Sequence, residues 1–191
     1  YLAMGLECYF GIWSHDPSGN GFCGDQEYPF IDRASMFDGD PKLYNIINGF
    51  FGSHWHYQAQ LPDNFTGNFH LSFQPSLDYT YRSQYIVNIK LTGSNNVSIY
   101  GNEFDNQVIG NAGSNLFYGY QGDDSFRGLG GQNRAIFSGG ITEYDIVQSV
   151  ENSETLVSVI DFESDRDGTD LYLDVEEFDF NGTVYQVSDL L

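Results

Sequence analysis

A mainly β fold with a small helical N-terminal part, ending in a short β-solenoid with a C-terminal β cap, is the class this sequence predicts. Three observations predict it. Apolar residues recur three and four apart only in the first stretch, ending near Gly52, as in amphipathic helices. From His54 to Leu91 polar and apolar residues alternate, as in strands. Glycine then stands at 101, 110, 119 and 128, a fixed short period that marks a solenoid.

The helical part opens with Leu2, Leu6, Tyr9, Phe10 and Trp13, which share one helix face. Asp16-Pro17-Ser18-Gly19-Asn20-Gly21 breaks it and opens a loop expected to run past Cys23 to Asp38. Asp40-Pro41 is an acidic cap followed by proline at the first helical position, and a second helix carrying Leu43, Tyr44, Ile46, Ile47, Phe50 and Phe51 follows. Strands are expected in Phe69-His70-Leu71-Ser72-Phe73 and Tyr85–Leu91, with turns at Pro62 and Pro75. The expected organisation is a helical segment over 1–53, a connecting β region over 54–91, a repeat solenoid over 92–137 and a β cap over 138–191.

Charge narrows the partners. Seven Lys and Arg stand against 27 Asp and Glu, so the net charge of −20 repels nucleic acid and anionic membranes and attracts cations. Aromatic residues make up 17% of the chain, too many for an acidic disordered segment. No apolar run reaches the roughly 18 residues that a membrane-spanning helix needs, so no membrane insertion is expected. The opening Tyr-Leu-Ala-Met-Gly-Leu-Glu has neither an initiator Met nor a signal sequence, and the chain is expected to begin in mid-protein. Cys8 and Cys23 form an even pair, and a disulfide between them is expected in an oxidising compartment. Asn64, Asn96 and Asn181 each begin an Asn-x-Ser/Thr triplet and are glycosylation candidates in a eukaryotic host.

The repeat reads GNEFDNQVI, GNAGSNLFY, GYQGDDSFR and GLGGQNRAI from residue 101. Position eight is apolar in every block (Val108, Phe117, Phe126, Ala135) and is expected to point inward, each side chain stacking on the next coil. The recurrent glycines are expected to supply positive φ at sharp corners. These blocks resemble the calcium-binding nonapeptide (RTX) repeats of secreted bacterial proteins, with the pattern Gly-Gly-x-Gly-x-Asp-x-apolar-x.

The resemblance implies a parallel β-roll with calcium held in the turns by carboxylates and carbonyls, in a secreted, extracellular protein. It extends to Leu91–Asn96 before the repeat, to Arg134–Gly139 and Tyr144-Asp145-Ile146 after it, and to Asp167–Leu171, Val175-Glu176 and Phe178 in the cap. Position six holds Asn106, Asn115, Asp124 and Asn133, so one block of four carries the expected carboxylate. Losing that charge lowers calcium affinity, and the sites are expected to be few and weak unless Asp105, Asp123 and Asp124 act together. Asp165, Asp167 and Asp170 around Gly168 are a further candidate cation site.

Tyr1–Phe10 and Asp40–Phe50 resemble the end of a secreted zinc-peptidase-like domain, which implies a catalytic part upstream. Zinc itself is not expected in this chain: of His15, His54, His56 and His70, only His54 and His56 share a strand face, without the third ligand that zinc needs. No nucleophile triad, phosphate loop or dinucleotide fingerprint occurs. The reading is a non-catalytic extracellular module, stabilised by calcium and able to associate with itself through open solenoid ends, with a zinc-peptidase fragment as the alternative.

Overall fold

Among the described residues three helices form, two of them where apolar residues recur at helical spacing. The computed structural model describes residues 2–10, 28–30, 33–51, 57–72, 86–151 and 154–190, divided between a helical unit (1–57 with 71–86) and a β unit (58–70 with 87–191). In the helical unit α1 spans Leu2–Tyr9, α2 Arg33–Gly39 and α3 Pro41–Phe51. Their core is Cys8, Tyr9, Tyr28, Met36, Leu43 and Ile47. Asp40 caps α3 as expected, its Oδ1 accepting the Leu43 N–H at 3.2 Å.

Helix α2 lies inside the stretch expected to be a loop. At seven residues with one buried side chain, Met36, it is too short to show a periodicity in sequence. The expected Cys8–Cys23 disulfide is corrected: no disulfide occurs among the described residues, where Cys8 is a fully buried core side chain. Cys23, His15 and the His54-Trp55-His56 triplet lie outside the described residues.

The β unit runs β1 (Tyr57–Leu61), β2 (Gly67–His70), β3 (Ile86–Leu91), β4 (Val97–Tyr100), β5 (Gln107–Ile109), β6 (Leu116–Tyr118), β7 (Ser125–Arg127), β8 (Arg134–Phe137), β9 (Tyr144–Glu151), β10 (Glu154–Asp161), β11 (Thr169–Leu173), β12 (Glu177–Phe180) and β13 (Thr183–Gln186). Alternate strands build two sheets, ordered β1-β3-β5-β7-β11-β10-β9 and β13-β12-β8-β6-β4-β2. Pairing through the repeat is parallel: Val108 lies beside Phe126, and Phe117 lies beside Ala135. Two blocks therefore make one coil, and β2 and β3 extend the same parallel ladders onto β4 and β5.

The fold is a helical N-terminal region followed by a largely parallel, solenoid-like β architecture. Val108, Phe117, Phe126 and Ala135 are all at most 1% exposed. Phe117, Phe126 and Tyr172 continue the stack from coil to cap, with centroids 5.3 and 5.1 Å apart. Burying each such ring contributes about 1.5–3 kcal/mol. The cap begins in parallel, β11 on β7 and β12 on β8, and then turns antiparallel through β10, β9 and β13.

Repeat glycines at Gly122 and Gly131 supply the expected positive φ, whereas those at position one serve a different purpose. Positive φ occurs at Tyr120, Gly122, Leu129 and Gly131, not at Gly101, Gly110, Gly119 or Gly128. A Cβ on Gly110 would lie 2.5 Å from the Gly128 carbonyl oxygen and 2.6 Å from Asn115 Oδ1. Position one is glycine because the next coil passes directly over it.

Candidate metal centre

The turns between strands stack in two rows. One contains 101–106, 119–124 and the cap turn 165–170, and the other contains 110–115, 128–133 and the cap turn 174–176. In both, the position-six side chain accepts the backbone N–H of the position-six residue one coil earlier. In the first row Asn106 N–H donates to Asp124 Oδ1 (2.7 Å), and Asp124 N–H donates to Asp170 Oδ1 (3.0 Å). In the second, Asn115 N–H donates to Asn133 Oδ1 (3.0 Å), and Asn133 N–H donates to Glu176 Oε2 (2.7 Å).

Position five adds outer ladders that run the opposite way, the earlier side chain accepting the later N–H. Asp123 N–H donates to Asp105 Oδ1 (2.9 Å) and Thr169 N–H to Asp123 Oδ1 (2.9 Å). Ser114 N–H donates to Asn96 Oδ1 (2.9 Å) and Gln132 N–H to Ser114 Oγ (3.0 Å). Hydrogen bonds to ionised acceptors are roughly twice as strong as neutral ones, so charge strengthens the first of these ladders.

The asparagines at position six are satisfied by protein alone. Asn106 Nδ2 donates to Asn102 Oδ1 (2.9 Å) while its Oδ1 accepts the Asn102 N–H (3.1 Å). Asn115 makes the same pair of bonds with Asn111 (3.2 Å each). Asn133 Nδ2 donates to the carbonyls of Gly130 (3.2 Å) and Asp174 (3.0 Å). Those three side chains each donate through Nδ2 to groups of the protein itself.

Asp124 is the exception. It is 1% exposed, and its Oδ2 is the one buried side-chain N or O atom without a hydrogen-bond partner among the described residues. A Cβ on Gly119 would collide with that oxygen, as one on Gly128 would collide with Asn133 Nδ2. The two atoms thus occupy equivalent places, one an acceptor and the other a donor. Asp170, also 1% exposed, adds its Oδ2 within 3.2 Å of the same Gly119 Cβ position. Tyr172 Oη donates to that Oδ2 at 2.7 Å.

Two carboxylates held together out of water resist ionisation. Burial raises Asp124 to about 7, with Asp105, Asp123 and Asp167 adding to the rise and the Asn106 N–H opposing it. Burial and the neighbouring Asp124 charge raise Asp170 to about 9. A buried, unpartnered carboxylate oxygen beside a second carboxylate fits an oxygen-seeking cation.

The remaining sequence candidates are dispersed. Asp105 and Asp123 are exposed and, with Glu103, Gln121, Asp165 and Gly168, line an open acidic cleft of about 320 Å³ on the outer side of the first row. Asp165 is exposed at a positive φ, its carbonyl accepting from Gln121 Nε2. Asp167 points to the cap, accepting from Ser138 Oγ and Tyr144 Oη. Asp165, Asp167 and Asp170 therefore face three different surroundings. Asn64, Asn96 and Asn181 are all exposed.

Glu176 closes the second row, a role sequence reading missed; its only signal is an acceptor just before a strand. The pairing of Asp170 with Asp124 was equally hidden, because 46 residues separate them.

Residues 100–135 match the family model of the RTX calcium-binding nonapeptide repeat, in four copies. No curated protein matches the chain. The match supports calcium association for the repeat segment. The metallopeptidase-like reading is corrected: among the described residues no group of three or more His, Cys, Asp or Glu could hold a metal, and nothing supports a peptidase relationship. No described helix is long and apolar enough to cross a membrane.

Proposed function

We propose that this chain is a non-catalytic, calcium-stabilised structural module that works outside the cell and associates with copies of itself. The observation that carries the calcium reading is the unpartnered Oδ2 of Asp124 beside Asp170, inside a segment matching calcium-binding repeats. Calcium supplies the positive charge that this pair lacks and asks only for oxygen ligands. The net charge of −20 disfavours polyanionic partners and makes cations necessary wherever two copies approach.

Self-association is supported by the sheet edges. β1, β9, β2 and β13 are each paired on one side only among the described residues, and β9 carries the exposed Val147 and Val150. Such edges accept a further strand. The module then acts as a cohesive element, joining copies laterally or end to end into a filament or matrix.

Calorimetric titration of the metal-stripped chain with calcium chloride tests the first part, with uptake and a raised thermal midpoint expected. A chain that takes up no calcium at millimolar concentration refutes it. Sedimentation velocity over a concentration series with calcium tests the second; a monomer at every concentration refutes self-association.

A further inference from the structure

We propose that the cation acts at a single joint, fixing Asp124 of the last first-row coil against Asp170 of the cap, while the coils wind without it. The inference rests on the calcium reading and specifies where the ion works. It follows from one substitution that the molecule itself presents. At position six of the second row, Asn133 offers a donor and finds two carbonyls, those of Gly130 and Asp174. At the equivalent place in the first row, Asp124 offers a second acceptor, Oδ2, which finds no donor among the described residues. A positive ion is what turns that acceptor from a cost into a tie.

The coil-to-coil contacts need no such help. Asn106 and Asn115 close their own turns through Asn102 and Asn111. Strand pairing of β4 with β6 and of β6 with β8 is parallel and in register, over the buried Phe117 and Ala135. The second sheet's own joint to the cap is also complete. There β12 pairs with β8 over four residue pairs, Asn133 N–H donates to Glu176, and Arg134 Nε donates to Glu177 Oε2 at 2.7 Å.

The first sheet's joint differs. β11 meets β7 over three residue pairs, from Leu171 beside Ser125 to Leu173 beside Arg127. Leu171 N–H donates to the Asp124 carbonyl at 2.8 Å, so the residue that carries the unpartnered carboxylate also holds β11. Calcium therefore governs docking of β11, and of β10 behind it, and leaves the second sheet unaffected.

Hydrogen exchange by mass spectrometry on the full chain, with calcium chloride and then with chelator, reads this directly. Local opening that releases the ion is suppressed by mass action, so about 100-fold slower exchange is expected when free calcium is about 100 times the dissociation constant. That protection is expected over 123–127 and 169–173, with no change over 116–118, 134–137 and 177–180. Asp124→Asn, which copies the second row, is expected to fold and to lose the calcium response; Asp170→Asn provides the same reading should the first variant not fold.

Calcium-dependent protection spread evenly over all strands, or retained in either folded variant, overturns the inference while leaving calcium binding intact. Absence of calcium uptake by the wild-type chain overturns the calcium reading, and the joint with it.

Discussion

The two turn rows share one hydrogen-bond plan and differ in what fills its middle. Each row passes a position-six N–H to the side chain one coil later and ends on a cap carboxylate, Asp170 in one and Glu176 in the other. In the amide row Asn133 satisfies both of its polar atoms. In the acidic row Asp124 satisfies one, and the residual charge becomes a demand for a cation or a proton. On the reading proposed above, calcium dependence in such a coil is set residue by residue. Asn133 ties its coil to the cap with its own donor, whereas Asp124 has no donor with which to do so.

Substitutions can break or sharpen that contrast. The largest effect is expected at position one. In Gly128→Ala the new Cβ meets the backbone carbonyl of Asp174, while in Gly119→Ala it meets the Asp124 and Asp170 carboxylates, which are side chains. Urea unfolding is expected to show a loss of about 3 kcal/mol for the first and about 1 kcal/mol for the second, since overpacking against backbone relaxes least. Equal losses would mean that the acidic row is as rigid as the amide row.

Next comes Asn115→Asp, which removes the Nδ2 donor to Asn111 and buries a charge. A loss of about 1–3 kcal/mol in chelator is expected by thermal melting, partly recovered by calcium. No recovery would show that the amide row has no room for an ion.

The acidic row should also titrate. Asp124 and Asp170 both hold their protons more tightly in the fold than the ordinary carboxyl value of 3.8 allows in the open chain. Between that value and about 9 the folded state binds more protons than the unfolded one, so stability falls as pH rises. Melts in chelator from pH 5 to pH 9 are expected to show a declining midpoint, flattened when calcium replaces the proton. A midpoint that climbs across this range would contradict the pairing of the two carboxylates.

The smallest effect is expected on the surface. Arg127 bridges Glu154 and Asp174 with its side chain 45% exposed, and Arg127→Ala should cost no more than about 1 kcal/mol in urea unfolding.

Much of this architecture was legible in the chain. Position eight pointed inward in all four blocks because a nine-residue period returns it to the second residue of each short strand, where it is buried. Asp40-Pro41 announced α3, since capping is local chemistry. Helix α2 was missed because Met36 contributes through tertiary packing and not through a pattern. Glycine at position one is required by what lies against it, from the next coil, the cap or its own turn, and not by its own φ, which no local pattern shows.

By itself the sequence determined the coil: its period, its inward residues, its acidity and the shortage of carboxylates at position six. These depend on residues near one another along the chain. Only the tertiary structure decided which carboxylates meet. Asp124 has Asp123 as its sequence neighbour, yet Asp123 is exposed and Asp124 buried, because successive residues project to opposite sides of the turn. Its effective partner is Asp170, brought over it by the parallel pairing of β11 with β7, and no local pattern encodes a contact closed across so long a stretch of chain.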